Sequence, residues 1–203
     1  MKHDMTNFRL GDVASVFAGA GVSRTEKAGL DGVAFPVIGV RHLNDGAVAP
    51  REELDEIAFP YESRALPYEV HVGDVLVTGR GTVLKFGIVG AETEGAIASG
   101  NIIIIRPQTQ ALGGTLFAIL SSGVFRPKIE VMQRGATTLL SLSPKDLAKL
   151  EITLPSREKQ ELISAFVRES QAAYLTAIQA AEARRVLARG ILNTRLFGDH
   201  KKD

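Results

Sequence analysis

Phe17-Ala18-Gly19-Ala20-Gly21 forms the F-x-G-x-G pattern with which many methyltransferases hold S-adenosylmethionine. Glycine serves there because a backbone without Cβ atoms approaches the cofactor closely. That chemistry also needs a strand before the pattern, a helix after it and a ribose-binding acid about 20 residues on. The adjoining segment, Val22-Ser23-Arg24-Thr25-Glu26-Lys27-Ala28-Gly29, is polar and short for a helix. No Asn/Asp-Pro-Pro-Tyr segment is present to hold a target amino group, and Phe59-Pro60-Tyr61 lacks the amide or acid. The segment reads as a glycine-rich surface loop. Gly79-Arg80-Gly81-Thr82 is not a phosphate-cradling loop either, since no Gly-Lys-Ser/Thr closes it. His3, His42, His71 and His200 lack metal-ligand spacing, and the chain has no cysteine for thiolate ligands or disulfides. With no Ser/His/Asp set to assemble, the expectation is a protein without cofactor, metal or catalytic residue of its own.

The elements that would position a binding surface are mostly strands. Residues 35–40, 74–78, 86–89 and 101–106 are short, β-branched runs bounded by Gly, Asp or Pro. Ile102-Ile103-Ile104-Ile105 shows no alternation, which predicts a strand buried on both faces. Residues 112–122 read as a helix, and 152–154 as a closing strand ended by Pro155. Ser143 and Pro144 read as N-cap and first position of a further helix. Arg106, before Pro107 at a strand end, reads as structural. The predicted fold class is α+β, with a mixed or barrel-like sheet followed by a long C-terminal helix.

A hydrophobic content of 45% suits a folded globular chain and argues against disorder. Apolar runs fall far short of the roughly 20 residues that span a bilayer, and Met1-Lys2-His3-Asp4-Met5 does not resemble a signal peptide. The expectation is a cytoplasmic protein that makes no use of a membrane. A net charge of +1 carries no global signature of nucleic-acid binding, so such a surface must come from local segregation of charge.

The pattern changes at Leu154-Pro155-Ser156. From Arg157 to about Phe197 there is no Pro and a single Gly, Gly190. Ile163, Val167, Ser170, Tyr174, Ala177, Ala181, Arg184, Ala188 and Ile191 alternate steps of four and three, as a coiled-coil seam requires. A second apolar line, Leu162, Phe166, Ala173, Ala180 and Leu187, lies beside it, wide enough for more than one neighbour. A helix of roughly 40 residues reaches about 60 Å. The predicted division is a body over 1–155, a partner-binding helix over 156–198 and a disordered tail over 199–203.

A family resemblance rests on segments in a fixed order. Leu10-Gly11-Asp12-Val13 leads through Gly19 and Gly21 to Val40-Arg41-His42-Leu43. The stretch Gly73-Asp74-Val75-Leu76-Val77-Thr78-Gly79-Arg80-Gly81-Thr82 and the run Ala98-Ser99-Gly100-Asn101-Ile102 come next. Then come Phe125-Arg126-Pro127-Lys128-Ile129, Gln133-Arg134-Gly135-Ala136-Thr137, Leu147-Ala148-Lys149-Leu150 and Leu154-Pro155-Ser156-Arg157-Glu158-Lys159-Gln160. In this order the chain resembles one target recognition domain, with its following helix, of the specificity (S) subunit of Type I restriction-modification systems. The S subunit of that family usually carries two such domains and two helices, so the chain resembles half of one. Val83-Leu84-Lys85 departs from the family's smaller Ile-Gly-Lys-like turn. The resemblance implies double-stranded DNA as ligand and a methyltransferase (M) subunit, with a restriction (R) subunit, as partners. It also implies pairing with a second copy or with another half-subunit.

Three loops carry side chains suited to DNA. Thr78, Arg80 and Lys85 flank a Gly-bounded turn between two strands; Arg bonds guanine bidentately and Lys neutralises a phosphate. Arg126 and Lys128 precede Gln133, Arg134 and Thr137, where the amide matches adenine and the Thr methyl meets thymine. Arg41, His42 and Asn44 form the third loop. Along the helix, Ile163, Val167, Tyr174, Ala177, Ala181, Ala188 and Ile191 are the expected partner contacts. Two readings from other classes stand beside this one: a small S-adenosylmethionine-dependent methyltransferase built on 17–21, and a protein-only assembly or inhibitor module worked by the helix.

Overall fold

A computed structural model of the chain describes residues 5–21, 32–44, 46–133 and 139–198. In chain order the first half runs β1 (Met5–Arg9), α1 (Leu10–Val13), β2 (Ala14–Ala18), β3 (Val33–Ile38), β4 (Leu43–Asn44), β5 (Gly46–Val48), β6 (Asp55–Phe59), β7 (Val75–Thr78), β8 (Arg80–Gly81) and β9 (Phe86–Ile88). The second half runs β10 (Ile97–Ala98), β11 (Ile102–Pro107), α2 (Gly113–Ser121), α3 (Arg126–Met132), β12 (Leu140–Ser141), α4 (Pro144–Leu147), β13 (Glu151–Pro155) and α5 (Arg157–Phe197). Internal contacts group the chain into two units, Met1–Val167 and Arg168–Asp203.

In the first unit the main sheet has the order β2-β11-β7-β9-β5-β4, antiparallel except where β5 runs parallel to β9. A smaller sheet, β10-β3-β6, and the pairs β1-β13 and β12-β8 complete it. Among the described residues the main sheet does not close, so the fold is the mixed form of the expected α+β class and not the barrel-like one. Strand β11 shows why its isoleucines do not alternate. Ile103 and Ile105 face a core with Leu10, Leu116, Leu120, Ile129 and Leu147, while Ile102 and Ile104 face a second core with Ile38, Leu43, Leu76 and Val89. Helix α2 packs on β7, β9 and β11 and covers one of those faces. At α4 the Ser143 Oγ accepts the Asp146 N–H at 3.4 Å, with Pro144 following the cap.

Two polar side chains, the half-buried Arg106 and the buried Gln160, tie the elements together. The Arg106 guanidinium reaches across to Asp74 at 2.7 Å, donates to the Glu69 carbonyl at 2.6 Å and lies over the Phe17 ring. Gln160, in the first turn of α5, accepts the Leu112 N–H through Oε1 and donates through Nε2 to the Gln110 and Pro155 carbonyls. Thr115 adds a bond to the Gln160 carbonyl at 3.1 Å.

Helix α5 runs unbroken through Gly190 and ends at Gly198, whose φ of 71° is the left-handed geometry that terminates helices. Ile163 and Val167 belong to the core of the first unit. In the second unit Ala177, Ala181, Ala188 and Ile191 are exposed, and Tyr174 is half-buried. A Cβ added at Gly190 would meet open space. Gly190→Ala should therefore raise helicity and contribute up to about 1 kcal/mol, read by circular dichroism and thermal melting. No helix among the described residues is long and apolar enough to cross a membrane. The tail over 199–203 lies outside the described residues.

Candidate nucleic-acid interface

Because β11 runs antiparallel to both β2 and β7, three turns emerge at one end of the main sheet: 19–21, 79–81 and 99–101. They are stitched together by backbone bonds, from Gly19 N–H to the Ile102 carbonyl, Ala20 N–H to Ala98, and Gly79 N–H to Asn101. Gly19 is required for that approach, since a Cβ there would fall 2.3 Å from the Ala98 carbonyl oxygen. The glycine that suggested a cofactor loop is thus accounted for by packing; the segment 22–31 lies outside the described residues.

The other polar loops arrive at the same end. Ser99 N–H bonds the Ile38 carbonyl, placing the 39–42 turn alongside, and Val40 Cγ1 lies 3.8 Å from where a Gly81 Cβ would sit. Asn44 does not reach that end: across the sheet it is level with Ala47 of β5, Ile88 of β9 and Val75, the first residue of β7. Arg80 pairs with Ser141 across β8-β12, and Arg126 Nη2 donates to the Leu84 carbonyl at 2.7 Å. The structure thus brings together the turns at Arg41 and Arg80 and the start of α3 at Arg126, where the sequence suggested a loop but Arg126 and Lys128 lie on a helix; these are up to 85 residues apart in sequence (126 − 41).

Within that cluster the side chains divide. Arg80 and Lys128 are exposed and Lys85 is partly exposed, while Asn44 is exposed outside the cluster; Lys128 Nζ sits 4.6 Å from the centre of the Phe125 ring. Gln133 is partly buried, and its Nε2 has no hydrogen-bond partner among the described residues. Arg41 is exposed but ion-paired to Asp55 of β6. Arg126 is engaged by Leu84 and Glu130 and lies over the Phe86 ring. Thr78 is buried and its Oγ1 accepts the Lys85 N–H, which shapes the 78–85 turn. His42 is buried, and its Nδ1 accepts the Gly39 N–H at 2.9 Å. Burial, and then the neighbouring Arg41 guanidinium, push its pKa below the usual histidine value. His42 and Thr78 thus build their turns from within. Arg134 and Thr137 lie outside the described residues.

Asn101 was passed over in the sequence. It is exposed in the 99–101 turn, and the signal that marks it is a Gly-Asn pair directly before an apolar strand. No group of His, Asp or Glu among the described residues has the geometry of a metal site.

An open mixed sheet with polar turns gathered at one end, followed in the chain by one long helix, defines a sheet-domain-and-helix architecture. The family model for the Type I restriction modification DNA specificity domain matches residues 2–180, and the chain belongs to that family. The fold is similar to the S subunit of a Type I restriction-modification system from M. genitalium, with a TM-score of 0.66 and 13% identity. That likeness covers 98% of this chain and 48% of that one. It is also similar to the HsdS subunit of Thermoanaerobacter tengcongensis, with a TM-score of 0.61 at 18% identity, covering 100% and 52%. A third similar structure, described as the basis of complex assembly and conformational transition of the type I R-M system, gives 0.59 at 23%, covering 98% and 47%. At these identities the likeness is one of fold. The chain spans about half the length of each of these proteins. No curated protein matches it.

Proposed function

We propose that this chain is a DNA-reading module of a Type I restriction-modification specificity subunit, without catalysis of its own. It reads one half of a split target through the loops at 41–44, 80–85 and 126–137, and directs adenine methylation by an M subunit and cleavage by an R subunit. The observation that carries this reading is the convergence of the turns at 39–42 and 79–85 and the start of α3 at Arg126 at one end of the sheet, in a chain that matches the specificity-domain family over residues 2–180. Arg80 and Lys85 support it, since neither has an ion-pair partner among the described residues and both remain available to DNA. Its working compartment is then the cytoplasm, where the DNA lies. In this reading residues 1–155 recognise DNA and 156–198 dock partners, with 199–203 as a tail.

Selection from randomised duplexes, with the chain bound to its M subunit, tests the reading. Wild type should enrich one motif. Arg80→Ala and Gln133→Ala should each relax one base position by about 1–3 kcal/mol. Lys85→Ala should weaken all sequences alike and reduce the salt slope by about 1. Enrichment of no motif by wild type would overturn the proposal.

The helix supplies the assembly half of the reading. Ile163 and Val167 are committed to the domain's own core, so pairing falls to Tyr174, Ala177, Ala181, Ala188 and Ile191. Two copies joined antiparallel along that seam would be related by a two-fold axis, and would read an interrupted palindrome. Ala177→Glu with Ala181→Glu should give a monomer that no longer supports methylation. A wild-type chain that sediments as a monomer, alone and with its M subunit, would assign the mate to a different half-subunit.

A further inference from the structure

Asn101 offers a side-chain amide in a turn that lies outside the three predicted loops. Its side chain is exposed and has no hydrogen-bond partner among the described residues. Its backbone is held firmly: the Asn101 carbonyl accepts the Gly79 N–H at 2.7 Å and the Arg80 N–H at 3.1 Å. The next residue, Ile102, is fully buried and paired with Thr78 in the main sheet. Only the short Asn side chain retains freedom, so little conformational entropy is lost when its amide is placed against a ligand. Asparagine in such a turn commonly satisfies its amide on nearby backbone; here the amide is left open to solvent.

An amide presents a donor and an acceptor side by side, which matches N7 and the N6 amino group of adenine in the major groove. Arg80 carries the complementary fork for guanine O6 and N7. The Arg80 N–H to Asn101 carbonyl bond sets the two backbones side by side. Hydrogen-bonded neighbouring strands stand about 4.8 Å apart, and successive bases along one DNA strand about 3.4 Å. Side chains from two such neighbours span one or two base steps.

We propose that Asn101 is a base-reading residue that selects adenine, and that with Arg80 it reads two purines within two base pairs of each other. This rests on the DNA-reading function proposed above.

The test uses the full chain bound to its M subunit, selecting from randomised duplexes, with wild type, Asn101→Ala, Asn101→Asp and Arg80→Ala in parallel. Asn101→Ala should lose roughly ten- to hundredfold of the preference for adenine at one position. Its affinity for random duplex and its salt slope should not change. That position should lie within two base pairs of the one relaxed by Arg80→Ala. Asn101→Asp keeps the size of the side chain but replaces the donor with an acceptor. It should shift the preference from adenine towards cytosine, whose N4 amino group donates. A merely structural Asn101 would give no such switch, and matching thermal melts would show that both variants fold. If wild type selects a motif and both Asn101 variants select the same one, Asn101 is not a reader, while the DNA-reading function stands. If the positions relaxed by Asn101→Ala and Arg80→Ala lie further apart, the paired reader is overturned. If wild type selects no motif, the functional reading fails and this proposal fails with it.

Discussion

Arg106→Met should destabilise the protein by about 3 kcal/mol, a large fraction of the roughly 5–15 kcal/mol that holds a domain folded. The Asp74 side chain is 2% exposed, and three of its four contacts come from Arg106: Nε at 3.1 and 3.2 Å and Nη2 at 2.7 Å. The fourth is the His71 N–H at 2.9 Å. Removing the guanidinium leaves a buried carboxylate with one donor, and such a break costs about 3–5 kcal/mol. The lower end applies because the Arg106 side chain is 29% exposed, so water can reach part of the vacated space. The Glu69 carbonyl loses its 2.6 Å partner as well. Adding Asp74→Asn to Arg106→Met should restore part of the loss, because no charge is then stranded. Urea unfolding of wild type, the single variant and the double variant checks this. A single-variant loss under about 1 kcal/mol would mean that solvent screens the pair as it does at a surface.

Gln160→Leu should cost up to about 3 kcal/mol for a different reason. Leucine fills similar space but abandons three groups at once: the Leu112 N–H and the carbonyls of Gln110 and Pro155. A buried polar group left without a partner costs about 1–3 kcal/mol; Leu112 and Pro155 are half-buried and Gln110 is exposed, so each contributes at or below the lower end. Gln160→Glu keeps an acceptor for Leu112 but has no donor for either carbonyl, and it brings a charge to a site that is 3% exposed. It should be at least as damaging at neutral pH. Hydrogen exchange distinguishes local loosening from global loss. Amides over 157–167 should exchange faster in Gln160→Leu at denaturant levels where those of β11 stay protected. Equal acceleration in both places would show that Gln160 serves the whole core and not the base of the helix.

Much of the frame was legible because local signals agreed with tertiary ones. The isoleucine run of β11 lacks alternation since both faces meet apolar cores, and Ser143-Pro144 starts a helix for reasons contained in two residues. The uninterrupted helix over Arg157–Phe197 reflects the absence of proline. Strands β1 and β6 were missed, each mixing polar and apolar residues and stabilised by partners outside its own stretch of sequence. For the candidate interface, residue type declares chemistry but not availability. Arg41 and Arg80 look alike in sequence, yet one is paired to Asp55 and the other has no ion-pair partner among the described residues. Thr78 and His42 lie inside their turns, a distinction that depends on how Lys85 and Gly39 approach them. The four-three spacing of the helix likewise marks an apolar stripe without saying what covers it, so Ile163 and Val167 read like Ala177 although they serve the domain's own core.

The antiparallel pairing of β1 with β13 sets a timetable for folding. Asn7 meets Thr153 across this pair, 146 residues further along the chain. At synthesis rates of roughly 5–20 residues per second, β1 waits about 7–30 s for its partner to be made. Contacts of such long range are slow to form even in a finished chain, because the loop must close before any bond rewards it. During the wait β1 is a bare strand edge, and its Thr6, Asn7 and Arg9 make it a poor template for aggregation. The nascent body therefore completes its last sheet only as the chain reaches the start of α5, so the sheet domain matures just before the long helix is made.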